Sequence, residues 1–333
     1  MNPFNPPYLP PRSLDNDLIG LTTLVGQANA ILSRYDGMLE GIINPQVLLS
    51  PLMMKEAEWS SRIEGTIATA NEVYANQAGA EFEPEKRADI EEILNYRHTM
   101  QIADSTIKEG PISLHMMRAM HEALMRGVRG QDKNPGRFRT TQNWIGPKGC
   151  RIEEATYVPP SPLRLQDHLD QFQRWIQSND NSIDPIVKTA LLHAQFEMIH
   201  PFDDGNGRIG RLLIPLYLTQ VGSLVSPSLY ISGYFDQHRD QYTHRLAQVS
   251  REQDWRGWII FFLEALVHQA RVNLELVRRI RGLYESMKVQ VSDATHSLQA
   301  IRIIDTLFDR PIFKASALHE ELGINRPLAA KYI

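Results

Sequence analysis

Residues 200–211 read His-Pro-Phe-Asp-Asp-Gly-Asn-Gly-Arg-Ile-Gly-Arg, a run whose types and spacing suit attack on a bound phosphate compound. Gly205, Asn206 and Gly207 can take positive φ angles and turn successive backbone N–H groups toward one point, an anion nest. A helix starting there adds its positive dipole end at the same spot. Arg208 falls in the first turn of that helix, and Arg211 lies one turn further up the same face. Two guanidinium forks beside such a nest can grip a di- or triphosphate. Asp204 offers a carboxylate oxygen next to the phosphates, the usual way that Mg²⁺ is held with substrate oxygens completing its shell. His200, at the end of the preceding helix, can take a proton from an incoming hydroxyl. A Gly-Asn-Gly turn alone is explained by loop chemistry, but the combination of all twelve residues is not.

To position these residues the chain must end one helix near 199 and start another near 207. Apolar spacing predicts helices at 184–199 and 207–221. Upstream, helices broken at Gly37, Gly41 and Asn44-Pro45 fill 14–49, after a proline-rich, extended arm over the first dozen residues. Leu52 to Glu64 reads as a helix stopped by Gly65. Further helices are predicted at 85–108, from about 112 to 125, at 163–178, at 236–249 and at 254–290, the last interrupted by Gly257 and Gly282. Residues 140–145 and 156–158 flank a turn at Gly146-Pro147-Lys148-Gly149 and predict a small β-hairpin. From about 298 onward, helical patterns separated by Gly323 have the spacing of a helix-turn-helix. The fold class is therefore all-α with one hairpin.

Composition excludes several classes. Among 333 residues, hydrophobic types make up 42% and charged types 22%, as in ordinary globular proteins. A net charge of -4 argues against a surface coated for nucleic acid. Cys150 is the single cysteine, which fits a reducing compartment. The N-terminus lacks a secretory pattern, and the apolar run 258–263 is too short to span a bilayer, so a cytoplasmic location with no membrane partner is expected.

The segment 200–211 matches at each specified place the motif of the Fic family, His-x-Phe-x-Asp/Glu-Gly-Asn-Gly-Arg-x-x-Arg, and the chain resembles Fic proteins from about residue 12 onward, including Gly136-Arg137-Phe138-Arg139 and Tyr157-Val158-Pro159-Pro160. The resemblance implies a Fic fold, a helical bundle around the motif loop, and AMP transfer from ATP to a Ser, Thr or Tyr hydroxyl of a target protein. By position, His200 would be the base and Asp204 would bind Mg²⁺. Gly205, Asn206, Gly207 and Arg208 would hold the phosphates, Arg211 the γ-phosphate, and Phe202 would anchor the loop. Tyr242 falls where the family has aromatics near the adenine, and a core position suits it equally. The hairpin corresponds to a flap on which the target docks as an added strand.

Ser60-Ser61-Arg62-Ile63-Glu64-Gly65 resembles the family's inhibitory motif, Ser/Thr-x-x-x-Glu-Gly/Asn. Ser60, Glu64 and Gly65 are thus read as inhibitory, with Glu64 pairing with Arg211 in place of the γ-phosphate. The resemblance divides the chain into 1–95, with the inhibitory helix at about 51–65; a catalytic region 96–290, with the flap at about 138–158; and a partial winged-helix unit at 295–333. Lys314, Arg326 and Lys331 form a thin basic set there, so protein docking or a homodimer is favoured over DNA. Three alternatives stay open: removal of AMP, transfer of another phosphate-containing group, and an ATP-sensing DNA-binding regulator. His193, seven residues before His200, has no third ligand at metal spacing and reads as a packed histidine.

Overall fold

Prolines at first turns and capping side chains set most helix starts. A computed structural model describes residues 2–42, 44–128, 132–147, 149–178, 180, 182–295, 299–314 and 319. The first half holds α1 (Leu14–Asp17), α2 (Thr22–Glu40), α3 (Pro45–Leu48), α4 (Ser50–Ile63), α5 (Ala70–Gln77), α6 (Pro84–Thr106) and α7 (Leu114–Leu124). A largely irregular stretch follows, and then α8 (Pro162–Ile176), α9 (Pro185–Ile199), α10 (Asn206–Gln220), α11 (Ser232–Gln237), α12 (Arg239–Glu252), α13 (Trp255–Thr295) and α14 (Ala300–Asp309). Helices α3, α4, α6, α8 and α9 carry proline in their first two positions, where the missing N–H costs nothing. Ser113 caps α7 through the Met116 N–H, and Asp184 caps α9 through the Ile186 N–H.

The core forms around α9, which is buried along nearly its whole length and packs against α8, α10 and α13. Trp258 of α13 is buried and donates from Nε1 to the Ala190 carbonyl at 2.8 Å. Helix α4 lies between α6 and α11, which brings its C-terminal end to the start of α10. The proline-rich arm is extended, as expected, and is tied down by Phe4 N–H to the Val158 carbonyl (2.8 Å) and by Gln195 Nε2 to the Pro7 carbonyl (3.0 Å). The boundary expected near residue 95 falls inside α6, which runs through it.

The structure corrects several expected elements. Helix α2 continues through Gly37, and α13 continues through Gly257 and Gly282 for 41 residues. The helix penalty of a glycine is about 1 kcal/mol, and tertiary burial outweighs it. At Gly257 the lack of a side chain admits Asp254, whose Oδ1 accepts from the Gly257 N–H at 2.9 Å near the start of α13. The expected helix 236–249 is two helices, α11 and α12, meeting at His238. Helix α5 was absent from the sequence reading, although Thr69 and Glu72 form a capping box.

The expected hairpin is reduced, among the described residues, to one antiparallel bridge between Ile145 and Tyr157. Side chains replace the ladder. Gln142 Nε2 donates to the Pro159 carbonyl (3.0 Å) and Asn143 Nδ2 to the Phe202 carbonyl (2.9 Å), while Pro159 and Pro160 have no N–H to give. Lys148 of the turn lies outside the described residues. So do Gly323, Arg326, Lys331 and nearly all of the expected helices from 315 onward. No helix among the described residues is long and apolar enough to cross a membrane.

Candidate active site

Helix α9 ends because His200 precedes Pro201, which disfavours helical geometry at His200. His200 takes a left-handed conformation (φ 49°, ψ 61°), uncommon for a residue with a side chain. Arg139 holds it there. This buried arginine donates from Nε to the His200 carbonyl (2.9 Å) and from Nη2 to the Pro160 carbonyl (2.6 Å), while its own N–H bonds the Pro201 carbonyl (2.9 Å). His200 Nδ1 donates to the Glu197 carbonyl at 3.3 Å, which leaves the Nε2 lone pair free. Burial lowers the His200 pKa to about 4, so the ring is neutral at working pH.

The loop after His200 is fixed from within. Phe202 is buried and stacks on His121, ring centres 3.9 Å apart. His121 Nδ1 accepts from the Gly136 N–H (2.9 Å), so its Nε2 carries the proton and donates to the Asp204 carbonyl (3.0 Å). Gly205 has φ +75°, and a Cβ there would press on Met125, Leu124 and His121. The Asn206 side chain clasps the Phe202 backbone on both sides, accepting from its N–H and donating to its carbonyl, each at 2.8 Å. That side chain is therefore a loop clamp, leaving only its backbone N–H to face an anion.

Asp204 projects outward with its side chain 50% exposed, and its Oδ1 accepts from the Gly205 N–H at 2.6 Å. Arg208 is buried, with Nη2 at 3.7 Å from Asp204 Oδ1 and Nη1 at 4.0 Å from Glu92. Its Nε and Nη1 have no hydrogen-bond partner among the described residues. Donors buried without an acceptor at a helix N-terminus suit an incoming anion. No group of three or more His, Cys, Asp or Glu that could hold a metal occurs among the described residues. A lone outward carboxylate beside a phosphate nest still fits Mg²⁺, which takes its other ligands from phosphate and water.

Arg211 is 2% exposed and lies against α4. Its Nε donates to Ser60 Oγ (2.9 Å), and its Nη2 donates to the Ser60 carbonyl (2.9 Å) and to Glu64 Oε1 (2.7 Å). Burial would raise the Glu64 pKa, yet the charge and hydrogen bond of Arg211, with smaller help from Arg208 and His200, hold it below the usual value. Gly65 follows with φ +99°, ending the helix so that Glu64 sits at its tip. The sequence-predicted residues thus meet around one spot, except Tyr242. That tyrosine is 3% exposed and stacks on Phe235 at 4.4 Å, in the core.

Sequence reasoning assigned no role to Arg139, His121 or Glu197. Glu197, one turn before His200, has its Oε1 buried without a partner and against Gly210; burial raises its pKa to about 8. The available signal for Arg139 was an arginine in the stretch 133–152, which holds no acidic residue to pair with it.

Two family models match the chain: "Fic/DOC family N-terminal" over residues 22–104 and "Fic/DOC family" over residues 111–218, together more than half of its length. The chain is 35% identical over 130 residues to the protein adenylyltransferase Fic of Drosophila grimshawi, covering 39% of this chain and 24% of that protein. It is 30% identical over 176 residues to the protein adenylyltransferase Fic of Culex quinquefasciatus, covering 52% and 32%. The chain therefore spans about a quarter to a third of the length of these relatives. Among solved structures, a Fic family protein from Desulfovibrio desulfuricans superposes with a TM-score of 0.64 at 22% identity, covering 97% of this chain and 88% of that one. Fic-1 from Caenorhabditis elegans (residues 134–508, variant form) gives 0.61 at 19% identity, covering 80% and 76%. These two likenesses concern the fold, and the sequence matches carry the kinship: this chain belongs to the Fic/DOC family.

Proposed function

We propose that the chain transfers AMP from ATP to a Ser, Thr or Tyr hydroxyl of a target protein and that Glu64 restrains the reaction. The observation that carries the reading is the meeting, at one glycine nest, of a free His200 Nε2, an outward Asp204 and a buried Arg208 whose Nε and Nη1 make no hydrogen bond among the described residues. In this reading the hydroxyl oxygen forms a bond to the α-phosphorus of ATP, the bond to the β-phosphate bridge breaks, pyrophosphate leaves, and the proton passes to His200 Nε2. Such a base contributes about 10²–10⁴-fold, and most of the remainder comes from positioning and charge neutralisation by Arg208, Arg211 and the nest. Asp204 would hold Mg²⁺, which when bound neutralises phosphate charge. The Glu64–Arg211 ion pair supports restraint, because the guanidinium that would take the γ-phosphate is already engaged. The target would dock beside the 140–158 segment, whose Trp144 and Ile145 are exposed.

Removal of AMP is a second reading, favoured by one feature. Glu64 is 38% exposed at the site, where a carboxylate can orient water. Incubating wild-type, Glu64→Gly and His200→Ala proteins with α-³²P- or γ-³²P-labelled ATP tests the proposal. Protein label from the α position alone, stronger in Glu64→Gly and lost in His200→Ala while ATP still binds, is the expected result. Label from the γ position would instead indicate phosphorylation, and no label in any form a nucleotide sensor. Free AMP released from labelled Glu64→Gly protein by the wild type would favour removal.

A further inference from the structure

Helix α7 holds Gly136 by both of its backbone polar groups. His121 Nδ1 accepts from the Gly136 N–H at 2.9 Å, and Arg118 Nε, three residues earlier on the same face, donates to the Gly136 carbonyl at 2.8 Å. Gly136 has φ +73°, and a Cβ there would lie 3.1 Å from Glu122 Cβ, so the position calls for glycine. An N–H only donates, so Nδ1 of His121 carries no proton and Nε2 is the N–H of the ring. The ring is buried and lies nearly parallel to that of Phe202, at 6°, which fixes the direction of its Nε2–H. That direction is the Asp204 carbonyl, 3.0 Å away.

The carbonyl belongs to the Asp204–Gly205 peptide, which is trans, so its C=O and N–H point opposite ways in one plane. A carbonyl fixed toward α7 by His121 therefore sends the Gly205 N–H away from α7. There the N–H meets Asp204 Oδ1 at 2.6 Å, on the side where the Asp204 side chain is half exposed. Gly205 is the N-cap of α10, so this N–H leads the free N–H groups of the first turn.

We infer that His121 is a positioning residue which, through the Asp204–Gly205 peptide, aims the Gly205 N–H at a phosphate oxygen of the bound nucleotide. Asp204 Oδ1 holds that N–H until the phosphate takes its place. This role rests on the nucleotide-transfer reading above and adds to it a residue that touches neither nucleotide nor target. The tautomer that it needs is set by Gly136, just before the 140–158 stretch, so the nest is aimed from the segment beside which the target would dock.

Two variants separate the two ring nitrogens. In His121→Gln the amide nitrogen reaches the place of Nε2 and keeps the donor to Asp204, while the Gly136 N–H loses its acceptor. In His121→Asn the amide oxygen takes the place of Nδ1 and keeps the Gly136 bond, while the Asp204 carbonyl loses its donor. Each variant loses the ring on Phe202 and one buried hydrogen bond. Both are made in the full chain carrying Glu64→Gly, where Arg211 is released, and dissociation constants for ATP are measured by calorimetry with Mg²⁺. His121→Asn is expected to weaken ATP about 10-fold, the effect of one misdirected hydrogen bond to a charged group, and His121→Gln less than about threefold. Losses that are equal, or larger in His121→Gln, would mean that His121 only supports the fold and would overturn the inference. An unchanged constant in His121→Asn would overturn it as well. Without any change at 121, ¹⁵N NMR of the nucleotide-free protein should show His121 as the Nε2–H tautomer, and an Nδ1–H ring would overturn the inference without reference to function. The transfer reading fails separately. If the Glu64→Gly parent binds ATP but no α label reaches protein, that reading falls, while the ratio of the two dissociation constants still decides the role of His121. A parent that binds no ATP would overturn both.

Discussion

The carboxylate of Glu64 lies directly over the Cα of Gly207, so close that a Cβ at position 207 would collide with Glu64 Oε1 and sit 2.9 Å from Arg211 Nη1. The second glycine of the motif therefore leaves room for the ion pair. It lies inside α10 without the positive φ expected of it, which only Gly205 adopts in the 205–207 turn, because the helix already begins at Asn206.

Gly207→Ala is expected to destabilise the protein by about 1–3 kcal/mol, the range for overpacking a filled site. The loss should be smaller in a Glu64→Gly background, where the colliding carboxylate is gone. Urea denaturation of the four proteins in this cycle measures the coupling. Strictly additive effects would show that the two residues do not meet.

Arg139 donates to the backbone carbonyls of residues 141, 160, 199 and 200 and has no ion pair among the described residues. Burial lowers its pKa to about 10. Arg139→Ala leaves buried carbonyls unpaired and is expected to cost about 2–4 kcal/mol by urea denaturation. The left-handed turn at His200 should relax as well, so in the Glu64→Gly background Arg139→Lys should lower the rate of α-label transfer more than it weakens ATP binding. Equal effects on both would assign Arg139 to stability alone.

Glu197 gives a pH dependence with a defined sign. Its folded pKa is raised to about 8 by burial, with Arg211 opposing and Glu64 adding to the rise. A carboxyl raised in this way favours the folded state fully below its unfolded value of 4.5, and that contribution fades as pH rises through about 8. Glu197→Gln has no such titration. Its melting temperature should rise relative to wild type between pH 5 and pH 8.5, by the equivalent of about 1–3 kcal/mol after allowance for partial solvation. A wild-type–variant difference that does not move with pH would mean that Glu197 is ionised in the fold.

Much of the fold was legible because helix signals are local. Prolines at Pro185 and Pro84, the Ser113 cap and the stop at Gly65 act within one or two turns, and the elements they bound lie where the sequence puts them. The glycines at 37, 257 and 282 were misread because tertiary burial, which sequence periodicity does not show, outweighs their local cost. The hairpin is shortened to the Ile145–Tyr157 bridge for a related reason: β pairing is decided by which donors find which acceptors, and side chains of Gln142 and Asn143 satisfy carbonyls elsewhere.

By itself the sequence brought together the groups on which the proposed chemistry at residues 200–211 rests, since the nest, the carboxylate and the two arginines lie within one loop and one helix turn. It also brought Ser60 and Glu64 onto one helix face, because their separation is a property of the helix. Only the tertiary structure decided that Arg211 meets Glu64, that the Asn206 side chain is a clamp, that Tyr242 belongs to the core and that Arg139 holds His200. Those relations join residues up to 147 positions apart, and their energies depend on burial and distance, which no local pattern encodes.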